Sequence, residues 1–261
     1  MKLASATTWK SLIFLARRCY RSKELRLSNK YYQALTLIAS NNALKREAMI
    51  RLMYGNENID IELAFKYAKE VIKLDKTDDW LLSRSNIITA RHEFQSGNYA
   101  KSRKTFKKVE SLSKYEEGAE AKYYLAYLTY LDDSLRLAEE MVFQLAESYT
   151  SDRFIAQGFL LLADIYIEQN NNFQAKATLE SIIDNHDNKD VINIARKKWE
   201  QILEKEVIKK NSTEIQSYIN ISADEIDYEL EFELDTIQVL DPDYEVLQPD
   251  TLKIISDSLN K

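Results

Sequence analysis

Residues 119–126 read Ala119-Glu120-Ala121-Lys122-Tyr123-Tyr124-Leu125-Ala126, and twelve positions beyond the last alanine stands Ala138. The same interval separates Ala16 from Ser28, Ala90 from Ser102 and Ala163 from Ala175, with Leu52 and Ala64 filling the second place in the series. The first members of these pairs lie 36, 38, 36 and 37 residues apart. A stride of that size is the mark of a repeat architecture in which each unit is one supersecondary element. Small residues twelve apart inside amphipathic stretches fit two antiparallel helices joined by a short turn, because small side chains let the helix axes approach where they cross.

The residues around each pair agree. Four positions after the second small residue stand Tyr32, Ala68, Phe106, Val142 and Leu179, and seven after it Leu35, Val71, Val109, Leu145 and Ile182, the spacing of one buried helix face. Turns are predicted at Arg21 to Glu24, Asn56 to Asp60, Gly97 and Asn98, Asp132 and Asp133, and Asn170 to Asn172, where Asn, Asp and Gly tolerate left-handed or capping conformations. The second unit is expected to be irregular, since Leu52 replaces the small residue and Gly55 falls inside its first helix.

Composition narrows the class further. Of 261 residues only four are glycine and two proline, and both prolines, Pro242 and Pro249, lie near the C-terminus. Such a shortage of turn formers excludes a hairpin-rich sandwich or barrel. Cys19 is the single cysteine, which removes an internal disulfide and a cysteine-rich zinc cluster and fits a buried thiol. His92 and His186 stand far apart and read as surface or helix-end residues, and the scattered glycines form no phosphate loop. Neither a catalytic residue, a cofactor nor a metal is therefore assigned. Leu12 to Ala16 is far too short to span a membrane and is followed by Arg17 and Arg18 rather than a cleavage site, so the sequence as given carries no export signal and reads as cytoplasmic, or as periplasmic or envelope-associated if it is a fragment of a longer protein.

The motifs resemble those of tetratricopeptide repeat (TPR) proteins. The resemblance rests on Leu125-Ala126 with Ala138 and Leu145, on Leu162-Ala163 and Tyr166 with Ala175, Leu179 and Ile182, on Gly97-Asn98-Tyr99, and on Leu74-Asp75 at a repeat end. It covers residues 9–187. The segments Leu161 to Tyr166 and Phe173 to Leu179, with the opening octapeptide, look like the C-terminal part of long TPR proteins of Bacteroidota, which are envelope-associated. The repeat-ending proline of the family is absent, and strides of 36 to 38 exceed its usual 34. The implied fold is all-α: a right-handed superhelical solenoid of about five helix hairpins over residues 1–187, a capping helix over 188–210, and an acidic tail over 211–261.

In this family the first helices line a concave groove. Counting from the small residues, one row is Lys10, Arg46, Arg84, Glu120 and Gln157, another Arg17, Met53, Arg91, Tyr127 and Asp164, and between them run Ile13, Met49, Ile87, Tyr123 and Leu160. The candidate binding residues are Arg46, Met49, Arg84, Ile87, Arg91, Tyr123, Tyr127, Tyr130 and Asp164. Arg84 and Arg91 would fork carboxylates of a peptide whose apolar anchor meets Ile87. Tyr123, Tyr127 and Tyr130 form an aromatic strip, or else pack against the neighbouring first helix. The expected function is a non-enzymatic protein-interaction scaffold for a partner with an acidic and apolar segment, with envelope assembly as a refinement.

Charge separates three regions. The first 30 residues hold eight basic side chains against Glu24, whereas residues 213–261 hold 13 acids and two lysines within a total charge of −6. Residues 189–210 read as one more helix, with Val191, Ile194, Ala195, Trp199, Ile202 and Leu203 on one face, covering the last repeat. From Ile226 to Asp235 apolar and acidic residues alternate with the strand period of two. That tail is expected to be extended or disordered, free to add to another sheet edge or lie in a groove. The uncovered first repeat and the tail are two places for self-association. The cluster Lys101, Arg103, Lys104, Lys107 and Lys108 raises the alternative of a nucleic-acid-binding or regulatory helical repeat, disfavoured by the net negative charge.

Overall fold

The computed structural model describes residues 6–39, 41–74 and 77–237, with 6–8, 214 and 217–237 described by backbone course only. Eleven helices and no strand occur among them: α1 (Ala6–Arg21), α2 (Leu25–Ile38), α3 (Asn42–Asn56), α4 (Ile61–Ile72), α5 (Asp79–Gln95), α6 (Tyr99–Leu112), α7 (Glu116–Leu131), α8 (Leu135–Ser148), α9 (Asp152–Glu168), α10 (Asn172–Asn185) and α11 (Lys189–Ile237). They form five helix hairpins, α1–α2 through α9–α10, followed by α11.

The small residues sit where the paired helices cross. Ala16, Ser28, Leu52, Ala64, Ala90, Ser102, Ala126, Ala138, Ala163 and Ala175 are all fully buried. In two hairpins the crossing is also hydrogen-bonded, the Ser28 hydroxyl donating to Ala16 O at 2.9 Å and the Ser102 hydroxyl to Ala90 O at 3.1 Å. A serine there satisfies its own buried hydroxyl and costs no space. Around the crossings Tyr32, Leu35, Phe106, Val109, Leu145 and Leu179 are fully buried, as the helical spacing requires.

Four hairpin turns share one construction. The backbone N–H of Glu24, Asn98, Ser134 and Asn171 donates to the carbonyl five residues earlier, that of Cys19, Glu93, Thr129 and Tyr166 respectively. The residue before each donor is left-handed: Lys23, Gly97, Asp133 and Asn170, with φ of 61°, 74°, 57° and 58°. This is the Schellman closure, which satisfies the last carbonyls of the first helix. Lys23 is the one member outside the Gly, Asn and Asp set the sequence favours there.

The second hairpin departs, though not at Gly55. Helix α3 runs through it to Asn56, and the Asn29 amide packs against Gly55, donating to Gly55 O at 3.1 Å and to Asn56 Oδ1 at 2.9 Å. A Cβ at 55 would meet Asn29 Oδ1 at 2.3 Å, so the glycine is required by close approach. The irregularity lies in the longer turn, residues 57–60, and in the connection 73–78, which is six residues where the other inter-hairpin connections have three. That connection coincides with the longest stride, 38. Its Asp75, half of the repeat-ending pair, lies outside the described residues.

The chain divides into two units, Met1–Ile202 and Leu203–Lys261. The first unit therefore includes the start of α11, where Ala195 and Ile202 are buried against Leu162, Leu179 and Ile182, with Val191 and Trp199 beside them. Ile194, expected on that face, is 47% exposed.

The tail differs from expectation. The backbone of Ile226–Asp235 is helical, inside α11, and the helix of the expected cap does not end at residue 210. Ile226, Leu230 and Leu234 are spaced i, i+4, i+8, which satisfies a period of two and a helical face equally, and half of the intervening residues are Glu, a good helix former. Alternation over ten residues therefore does not by itself select a strand. The expectations for residues 238–261 lie outside the described residues.

Candidate functional site

The first-helix face holds every candidate residue but does not present them uniformly. Ile87 is fully buried, so it cannot serve a ligand as an anchor. In the same row Ile13, 7% exposed, is also interior, whereas Met49, Tyr123 and Leu160 are half-buried. Met49 packs against the core and Arg46 is half-buried and engaged.

Arg84 and Arg91, about two turns apart on one face of α5, meet three carboxylates. Arg84 donates to Glu57 at 2.9 and 3.0 Å and to Glu117 at 3.3 Å, and Arg91 to Glu57 and to Glu120, each at 2.5 Å. The Glu57 and Glu117 side chains are 9% exposed and that of Glu120 is 3% exposed. Burial acts to lower the Arg91 pKa, but the Glu120 hydrogen bond and the charges of Glu120 and Glu57 outweigh it, so the guanidinium is held above its ordinary value. Glu57 follows α3 and the other two acids stand on α7, so the cluster joins three successive units. The expected pairing of these arginines with an outside acid meets a physical obstacle: the forks are already filled, and the local charge is negative.

Similar links recur down the position occupied by Arg17, Arg91 and Asp164. Arg17 pairs with Glu47 at 2.5 and 2.8 Å, and Asp164 with Lys198. Each reaches the next first helix, or α11 in the last case. Opposite charges about thirty residues apart in sequence carry this signal, and a search restricted to single rows misses it.

The tyrosines on α7 do two things at once. Tyr123 and Tyr127 stack with centroids 6.3 Å apart, and Tyr127 and Tyr130 lie at 6.1 Å, forming a continuous strip. Tyr123 also meets Phe154 of α9 at 6.1 Å and Tyr127 meets Phe94 of α5 at 5.9 Å. Each ring is half-buried, with one part braced against a neighbouring helix. Tyr130 donates to Glu168. Burial raises the Tyr123 and Tyr130 hydroxyls well above the usual phenol pKa, with Glu168 adding to the effect at Tyr130.

Elsewhere, Cys19 is buried, His92 stacks on Phe65 at 3.8 Å in the last turn of α5, and His186 follows the end of α10. Among the described residues no group of three His, Cys, Asp or Glu could hold a metal ion, and no helix is long and apolar enough to cross a membrane. On α6, Lys101, Lys104, Lys107 and Lys108 are exposed, while Arg103 is occupied by Asp132 at 2.5 Å and by Leu128 O at 3.0 Å.

Stacked hairpins of this kind recur in solved structures. The apo form of RapI aligns with a TM-score of 0.56 at 17% identity, over 70% of this chain and 55% of that one. MamA residues 41 to end from Desulfovibrio magneticus RS-1 aligns at 0.53 and 14% identity, over 70% and 96% of the two chains. A further MamA structure aligns at 0.51 and 13%, over 69% and 97%. The array has the TPR fold. At such identities the likeness concerns the TPR fold alone. No protein-family model matches the sequence, and no curated protein is significantly similar to it.

Proposed function

We propose that this TPR-like array is a protein-interaction scaffold, non-enzymatic, whose first-helix face binds a segment of a partner polypeptide. The observation that carries the reading is the strip of Tyr123, Tyr127 and Tyr130, half-buried and braced from both sides. Rigid aromatic side chains offer large contact area at little entropic cost on binding, which suits them to anchor a peptide. Met49 and Asp164 border the same face. Arg84 and Arg91 enter the proposal as the rigid floor that holds successive first helices in register. Envelope assembly rests on the Bacteroidota resemblance alone and is a refinement of the same reading.

The test places a photo-crosslinking amino acid at Tyr127 or Tyr130, and in parallel at Lys104 or Lys108 on α6. The scaffold reading expects a defined polypeptide adduct from the α7 positions and none in common with α6. Identical adducts from both faces would contradict it.

A further inference from the structure

The fourth and fifth hairpins differ on the side away from the tyrosine strip. A stride of 37 carries Ala126 to Ala163 and Ala138 to Ala175, so Phe159, Thr178 and Ser181 stand where the preceding unit has Lys122, Met141 and Gln144. In that preceding unit the groove between α6 and α8 is closed. The Lys122 ammonium, on a side chain 12% exposed, reaches Glu110 of α6 at 3.2 Å and Gln144 of α8 at 2.8 Å, and Met141 packs against the core beneath.

The fifth unit leaves the equivalent groove open. Phe159 has no charge to carry across it, Thr178 turns its hydroxyl back to Gln174 O at 2.8 Å, and Ser181 is shorter than the glutamine it replaces. What results is a cleft of about 630 Å³ between α8, α9 and α10, walled by Phe143, Ile155, Phe159, Leu162 and Tyr166. That is the size and character of a small-molecule pocket. Its α9 residues lie on the helix face opposite Leu160 and Asp164, so the cleft is separate from the proposed peptide surface.

One end of the cleft is acidic. Asp152 in the first turn of α9 and Asp187 just beyond α10 both line it, because the antiparallel pair brings those two ends together. Among the described residues neither carboxylate has a partner, and no lysine or arginine lines the cleft. The C-terminal end of α10 adds negative partial charge at the same place. The fourth groove thus holds an alkyl stem and an ammonium supplied by the chain itself, whereas the fifth has apolar walls and unpaired acids and no amine of its own.

We infer that this cleft binds a small organic amine, its apolar body against Phe143 and Phe159 and its ammonium at the Asp152 and Asp187 end. The site is additional to the peptide surface and does not depend on the scaffold reading. Buried apolar area supplies the attraction, and the unbalanced carboxylates select a cation over a neutral or anionic ligand.

The experiment titrates the full chain with phenylbutylamine, and with phenylbutanol as the neutral counterpart, by isothermal calorimetry at neutral pH and physiological ionic strength. The amine is expected to bind about tenfold more tightly than the alcohol. Asp152→Asn combined with Asp187→Asn should weaken the amine about fivefold and leave the alcohol unchanged. Asp184→Asn, which removes a charge of α10 that does not line the cleft, should alter neither ligand. Thr178→Met with Ser181→Gln, which restores the residues of the fourth groove, should abolish binding of both while the melting temperature reports an intact fold. No amine binding, equal affinity for amine and alcohol, an undiminished amine affinity in the Asp152 and Asp187 variant, or a loss as large in Asp184→Asn would each overturn the inference. So would full binding by the refilled variant; if that variant does not fold, the aspartate substitutions decide alone.

Discussion

Arg84 and Arg91 on α5 are met by Glu57, Glu117 and Glu120, whereas Arg17, Arg21 and Arg51 around a cleft between α1, α2 and α3 are met by Glu47 alone. Both groups belong to the same fold and lie on first helices. The Tyr54 hydroxyl beneath Arg84 has no hydrogen-bond partner among the described residues, whereas the Tyr32 hydroxyl faces the Glu47 carboxylate. What separates them is how many carboxylates the adjacent units contribute. A cation on a helix face is available to a ligand only when neighbouring units leave it unpaired, so its row says less than its cross-unit partners.

The contrast is sharpest in stability. Arg91→Ala leaves Glu120, 3% exposed, and the nearly buried Glu57 with one guanidinium fewer, and should destabilise the fold by about 3–5 kcal/mol in urea titration. A smaller loss would mean that water enters the cluster. Alkali should touch both regions alike. Burial pushes the Tyr32 and Tyr54 hydroxyls up to about 12 from 10.0, so the unfolded chain releases these protons first. Their contribution is complete below pH 10 and falls as pH rises toward 12, a slope that Tyr32→Phe should reduce.

Arg51→Ala should cost less than about 1 kcal/mol, since a partly solvated stacking contact with Tyr20 and a solvent-screened attraction to Glu47 are lost. Acid gives the smallest effect. The Arg17 hydrogen bond holds the Glu47 carboxyl below its ordinary value, so the pair contributes above the ordinary glutamate range and is lost as pH falls through the lower, folded-state value. With Arg17 half-exposed, solvent screening keeps that contribution slight, and melting temperature below pH 4.5 should respond little to Glu47→Gln.

Much of the fold was legible because its signals are local. Ala126 and Ala138, or Ser102 and Ala90, announce a crossing through their size, and Asn170 or Gly97 announces a turn through its tolerance of positive φ. Val191, Ala195, Trp199 and Ile202, which meet the last repeat from α11, likewise keep helical spacing. The tail was misread because Ile226, Leu230 and Leu234 satisfy two periods at once. The candidate site was legible only as a face. Which arginine is free depends on Glu57 in a turn, Glu117 in a first turn and Glu120 one row over, residues whose distance from Arg84 and Arg91 is fixed by stacking and not by sequence spacing.

The internal engagement of Arg91 is most directly measured by a double-mutant cycle with Glu120, using Arg91→Ala, Glu120→Ala and the pair, each followed by urea denaturation. A coupling energy above about 1 kcal/mol is predicted for partners this poorly exposed. Additive single effects would show that the two residues act independently and that the α5 arginines are open to a ligand.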